Sequence, residues 1–152
     1  MSSSLARKSD KIYKKITDLH KKLTGDKELP HLTYFYYNKN NKFMGYTCLS
    51  VDKKKLVVDW IYAPKNGIEV MNNVLELAFI FDKEICPIDE IILKVSIDPT
   101  EKKDTVMKRI NFYIKCNFRV YDIQFRKKYG PLLSMKRNVR KNNKIDYIFA
   151  EK

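Results

Sequence analysis

Three short segments rich in aromatic and β-branched residues stand close together, at residues 32–37, 43–51 and 56–62 (LTYFYY, FMGYTCLSV and LVVDWIY). The stretches between them, NKNNK and DKK with its following lysine, are polar and too brief for a crossover. Strands joined this tightly run antiparallel, so the sequence predicts a three-strand meander over residues 32–62. Gly45 lies inside the second strand.

After the meander the apolar period changes from two to about 3.6. Ala63, Pro64 and Lys65 end the third strand. Asn66 is a helix cap, and Glu69 three residues later gives a capping-box pattern. Met71, Val74, Leu75, Ala78 and either Phe81 or Phe79 then mark the buried stripe of a helix over residues 66–83. Residues 90–96, with IILKVS at their centre, read as a buried strand. A strand, a helical crossover and a second strand give a parallel or splayed pair. Asp98, Pro99 and Glu101 predict a helix over 99–117 that carries Val106, Ile110, Tyr113 and Ile114. Asn117 stands where a left-handed residue would stop it. A hairpin over 119–136 turns at Tyr129, Gly130 and Pro131.

Upstream, Ile12, Ile16, Leu19 and Leu23 predict a helix over 5–23, with Gly25 as its stop, so residues 1–25 are expected to form an N-terminal helix. Residues 139–152 are basic, then apolar at IDYIFA, and read as a tail or an extra edge strand. The predicted fold class is α/β (α+β): one domain over 1–138, with a mixed, mostly antiparallel central sheet flanked by helices. A chain of 152 residues suits one such domain.

Charge narrows the partners. Thirty-one Lys and Arg against 18 Asp and Glu give a net charge of +13. That field favours anions: a phosphorylated cofactor, nucleic acid or an acidic protein. A solvated lysine-rich surface is the plainer reading of the same number. No apolar run approaches the roughly 18 residues that span a bilayer, so a membrane partner is not expected. The N-terminus lacks the apolar core of a secretory signal. Cys48, Cys86 and Cys116 form no Cys-x-x-Cys pair, and His20 and His31 complete no zinc set. Reduced thiols and an intracellular, most simply cytoplasmic, setting are expected, with no metal.

The order helix, meander, helix, strand, helix, hairpin resembles the GCN5-related N-acetyltransferase superfamily, over roughly residues 32–136. Three motifs carry the resemblance: WIYAP at the end of the third strand, RINFYIKCNF across the second long helix, and LLSMKR in the last strand. The resemblance implies acetyl-coenzyme A as cofactor and an amine as acceptor. It implies that Tyr113 gives the leaving thiolate its proton, and that backbone N–H groups of Ile61, Tyr62 and Ala63 hold the pantetheine arm. Lys65, Asn66, Gly67 and Ile68 would form the pyrophosphate turn. Asp59 lies where the family often has a glutamate and is the candidate base. The sequence departs from the family at KNGIEVMNN. An ungapped alignment puts Gly67 at the family's arginine and Ile68, Val70 and Asn72 at its glycines. Two readings stay open: a divergent transferase, or a scaffold without cofactor whose basic surface holds nucleic acid or an acidic protein.

Overall fold

The structure is a computed structural model and describes residues 2–139. In chain order the elements are β1 (Ser2–Leu5), α1 (Tyr13–Thr24), β2 (Leu32–Tyr37), β3 (Phe43–Asp52), β4 (Lys55–Tyr62) and α2 (Gly67–Glu84). They continue with β5 (Glu90–Ser96), α3 (Lys103–Lys115), β6 (Arg119–Gln124) and β7 (Leu132–Asn138). Seven strands form one sheet in the order β1-β2-β3-β4-β5-β7-β6. β4 and β5 are parallel, as the intervening helix predicts, whereas β1–β2, β2–β3, β5–β7 and β6–β7 are antiparallel. The expected mixed, mostly antiparallel sheet is therefore present. The described residues divide into two compact units, one built from residues 2–50 and 59–73, the other from 51–58 and 74–139.

The core of the first unit is aromatic. Ile16 of α1 is buried with Phe35, Tyr46 and Cys48, and Tyr13, Leu19, Phe43 and Trp60 pack against that cluster. The rings meet edge to face: Tyr13 with Phe35 at 6.3 Å and Phe35 with Phe43 at 5.9 Å between centroids. That geometry sets the positive edge of one ring on the negative face of another. Tyr36 is fully buried, and its hydroxyl lies 2.6 Å from Thr47 Oγ1. The core of the second unit is mostly aliphatic: Leu56, Val58, Leu75, Ile91, Leu93, Val95, Val106, Ile110 and Met135 are buried, with few rings among them.

α3 ends as its sequence predicts. Asn117 has φ 67°, and the Asn117 and Phe118 amides donate to Ile114 O and Tyr113 O, both at 3.0 Å. This is a Schellman closure, and the Phe118 ring packs on Tyr113 at 6.1 Å to complete it. The buried Arg137 on β7 donates to Cys116 O at 2.9 Å and ties the same helix end to the sheet.

Three boundaries differ from expectation. The N-terminal helix starts at Tyr13, not Leu5, because residues 2–5 pair with β2, from Ser2↔Tyr37 to Leu5↔Tyr34. A serine run gives a helix little support, and β2 offers it a ready edge. α3 starts at Lys103, since Asp98 Oδ1 instead takes both the amide and the hydroxyl of Thr100, at 2.8 and 2.7 Å. That closed local turn competes with the helix start. The Asn66 carbonyl accepts the first α2 bond from Val70, but its side-chain amide turns to Met44 Sδ at 3.9 Å rather than closing a capping box. The tail reading for 140–152 lies outside the described residues.

Candidate active site

β4 is bound differently along its length. Its parallel ladder with β5 runs from Lys55↔Glu90 to Val58↔Leu93, and β4 then continues to Tyr62. Among the described residues, its backbone beyond Val58 has no β5 partner. The end of the strand is fixed by Gly45 of β3. A Cβ at Gly45 would overlap the Tyr62 carbonyl oxygen and lie 3.2 Å from Ala63 Cα. Only glycine lets the two backbones come this close. The Tyr62 ring packs on Tyr46 at 5.8 Å.

From that strand end the chain turns through Pro64, Lys65 and Asn66 into the first turn of α2. Ile61, Tyr62, Ala63, Asn66, Gly67 and Ile68 are half-buried, whereas Lys65 is exposed. All seven lie in the first unit, in one run of chain interrupted by Pro64. The turn leads into a helix of 18 residues, whose free N–H groups and positive dipole end favour an anion. Glu69 is exposed in that first turn and opposes one. On the next turn, Asn72 Oδ1 is buried without a hydrogen-bond partner in the structure. Such an acceptor is costly to leave unpaired. It suits a ligand amide, and nothing but the bare alignment at position 72 pointed to it.

The two candidate catalytic residues are placed differently. Asp59 sits on β4 at the start of the same first-unit stretch and is exposed, so the carboxylate needs no buried ion pair. Its charge, with that of Asp26, adds to the burial that pushes the Cys48 thiol up to about 11, against a bond from Thr33. Tyr113 lies on α3 in the second unit, buried between Phe112 and Phe118 at 5.2 and 6.1 Å between centroids. Burial raises its phenol to about 12, with Arg109 pulling the other way and Cys116 adding to the rise. At neutral pH it is a proton donor and not a phenolate.

His20, which completes no zinc set in the sequence, has distant partners in the structure. It is buried on α1, its Nδ1 lies 2.8 Å from Tyr46 Oη, and its Nε2 lies 3.7 Å from Asp26 Oδ2. Trp60 meets the imidazole edge-on at 6.0 Å. The partner in this bond is 26 residues away, so no local signal announces it. Among the described residues no group of His, Cys, Asp and Glu is arranged to hold a metal, and no helix is long and apolar enough to cross a membrane.

No protein-family model matches the sequence, and no curated protein matches it. Solved structures do. A mutant form of spermidine N-acetyltransferase from Vibrio cholerae superposes with a TM-score of 0.63 at 12% identity, covering 91% of this chain and 95% of its own. The ribosomal-protein-S18-alanine N-acetyltransferase of Escherichia coli gives 0.62 at 9% identity, covering 93% and 97%. An acetyltransferase of the GNAT family from Bacteroides thetaiotaomicron gives 0.60 at 16% identity, covering 99% and 95%. Identities this low carry the architecture and not the activity, and on that footing the chain has the fold of the GCN5-related N-acetyltransferases.

Proposed function

We propose that this protein is an acetyl-coenzyme A-dependent N-acetyltransferase with a divergent pyrophosphate turn. The observation that carries this reading is the end of β4, which outruns its ladder with β5 and leads through one short turn into the first turn of α2. In this reading the N–H groups of Ile61, Tyr62 and Ala63 hold the pantetheine arm, and the unpaired Asn72 Oδ1 accepts from one of its amides. Lys65, Asn66, Gly67 and Ile68 take the pyrophosphate, with Lys65 supplying the charge that the family draws from an arginine. Acetyl-coenzyme A supplies an activated thioester acyl group when bound. Tyr113 holds the proton that the leaving sulfur requires, and the exposed Asp59 carboxylate accepts the proton released by the amine. The spermidine of one structural neighbour is a poor model for the acceptor, because a chain of net charge +13 repels a polycation.

Thermal unfolding with acetyl-coenzyme A and with coenzyme A tests the reading. A ligand at about 100 times its dissociation constant stabilises the folded state by about 2.7 kcal/mol, and a shift of that order is expected. Glu69 in the first turn of α2 favours a second reading, a cofactor-free module that uses its basic surface for binding. Unchanged melting at millimolar cofactor selects that second reading.

A further inference from the structure

β6 (Arg119–Gln124) ends the sheet among the described residues, and all six of its residues are exposed. Its register with β7 slips by one residue at Tyr121, so Val120 faces Met135 while Asp122 faces Ser134. A one-residue slip reverses which side chains share a face. Val120 and Ile123 therefore stand on one face with Leu133 and Met135, and Arg119, Asp122 and Gln124 stand on the other. Leu133 and Met135 are buried, but Val120 and Ile123 beside them are 40% and 48% exposed. Phe125, just past the strand, is 81% exposed. The apolar face thus continues onto a last strand whose Val120 and Ile123 are only half covered. Bulges and charges commonly protect an edge. This bulge does the opposite for the side chains, since it gathers two aliphatic groups on one bare face.

The charge around this edge has nearly one sign. Arg119 stands on the strand, and Arg126, Lys127 and Lys128 follow it, against Asp122 alone on β6. Arg126 and Lys128 stand over the exposed Tyr129 ring at 5.7 and 5.6 Å, and Lys136 over the Tyr121 ring at 4.9 Å. A second copy paired along β6 would set these cations against their own equivalents. Nucleic acid would use the rings and the charge but would leave the aliphatic pair and the strand amides idle.

We propose that the outer edge of β6 is a docking strand for an extended acidic segment of a partner protein. The segment adds to the sheet by main-chain hydrogen bonds. Its apolar side chains cover Val120 and Ile123, and its carboxylates meet the exposed Arg119, Lys127 and Lys128. This inference does not depend on acetyl transfer.

The full-length protein is titrated into a fluorescein-labelled synthetic peptide of alternating Val and Glu, followed by anisotropy, and the bound state is mapped by hydrogen exchange. The expected result is saturable binding that weakens about tenfold from low to physiological salt, with slowed exchange across residues 119–124. A Val120→Thr, Ile123→Thr double variant, exposed at both sites and unchanged in circular dichroism, is expected to lose about tenfold in affinity, or about 1.4 kcal/mol. The proposal is overturned by no binding of the peptide, or by equal binding of a peptide with Pro in place of Val. Unchanged exchange at β6 overturns it too, as does a preference for a single-stranded oligonucleotide of equal charge. Concentration-dependent dimerisation that the double variant abolishes would assign the edge to a second copy instead.

Discussion

The two units of this chain are stabilised by different chemistry. The first buries rings and polar groups together: Tyr36 on Thr47, and His20 on Tyr46 beside Trp60. The second buries mainly branched aliphatic side chains from β5, β7, α2 and α3. An aliphatic core asks chiefly for volume and tolerates rearrangement. A core with buried polar atoms asks for named partners, because each atom left alone costs its full desolvation. The strand end and helix start that we propose to hold the cofactor belong to the unit with named partners.

Tyr113 and the buried Arg137 are where that contrast breaks down, because each is a polar group in the aliphatic unit. Tyr113→Phe is expected to leave urea stability nearly unchanged and to lower kcat for acetyl transfer by roughly 10²–10⁴-fold. Equal losses in both would make Tyr113 a packing residue. Next in size, Ile91→Ala in the second unit should cost about 2–5 kcal/mol in urea unfolding, through lost burial and a cavity. Tyr46→Phe removes one oxygen and no apolar surface, yet it strands the buried His20 Nδ1 and should cost about 1–3 kcal/mol. Ile91→Val, which also removes one heavy atom, should cost only about 0.5–1.5 kcal/mol. If the last two came out in the reverse order, the contrast between the units would fail.

The smallest effect is a pH dependence. Cys48 ionises near 11 when folded, above its ordinary value of 9.0. The unfolded chain therefore loses its proton first, and the folded state holds more protons between pH 9 and 11. Stability from this thiol is present below pH 9 and falls as pH rises through that window. A Cys48→Ala variant should show a shallower decline in thermal midpoint over the same range.

Much of the architecture was legible because it is local. The meander announces itself in β-branched runs separated by brief polar turns, and the α3 stop in one Asn at positive φ. What the sequence hid depends on distant partners. Residues 2–5 read as the approach to a helix until β2 offers an edge, and Asp98 reads as a cap until it bonds Thr100. The proposed cofactor stretch, Ile61 to Ile68, could be named from the sequence because it is one continuous run. His20 was not, since its meaning lies on a strand 26 residues away. The slip at Tyr121 was hidden too, because it exists only in the pairing with β7.

Position 45 works as a spacer of zero thickness. The carbonyl of Tyr62 rests where a methyl group would otherwise project, so the height of the β4 terminus is set by an atom that is not there. Any side chain introduced at this place would push on main chain and not on a neighbour able to swing aside. A saturation library at this position would then be graded by how far each variant displaces the segment from Tyr62 to Ala63, with the thermal midpoint falling in the same order.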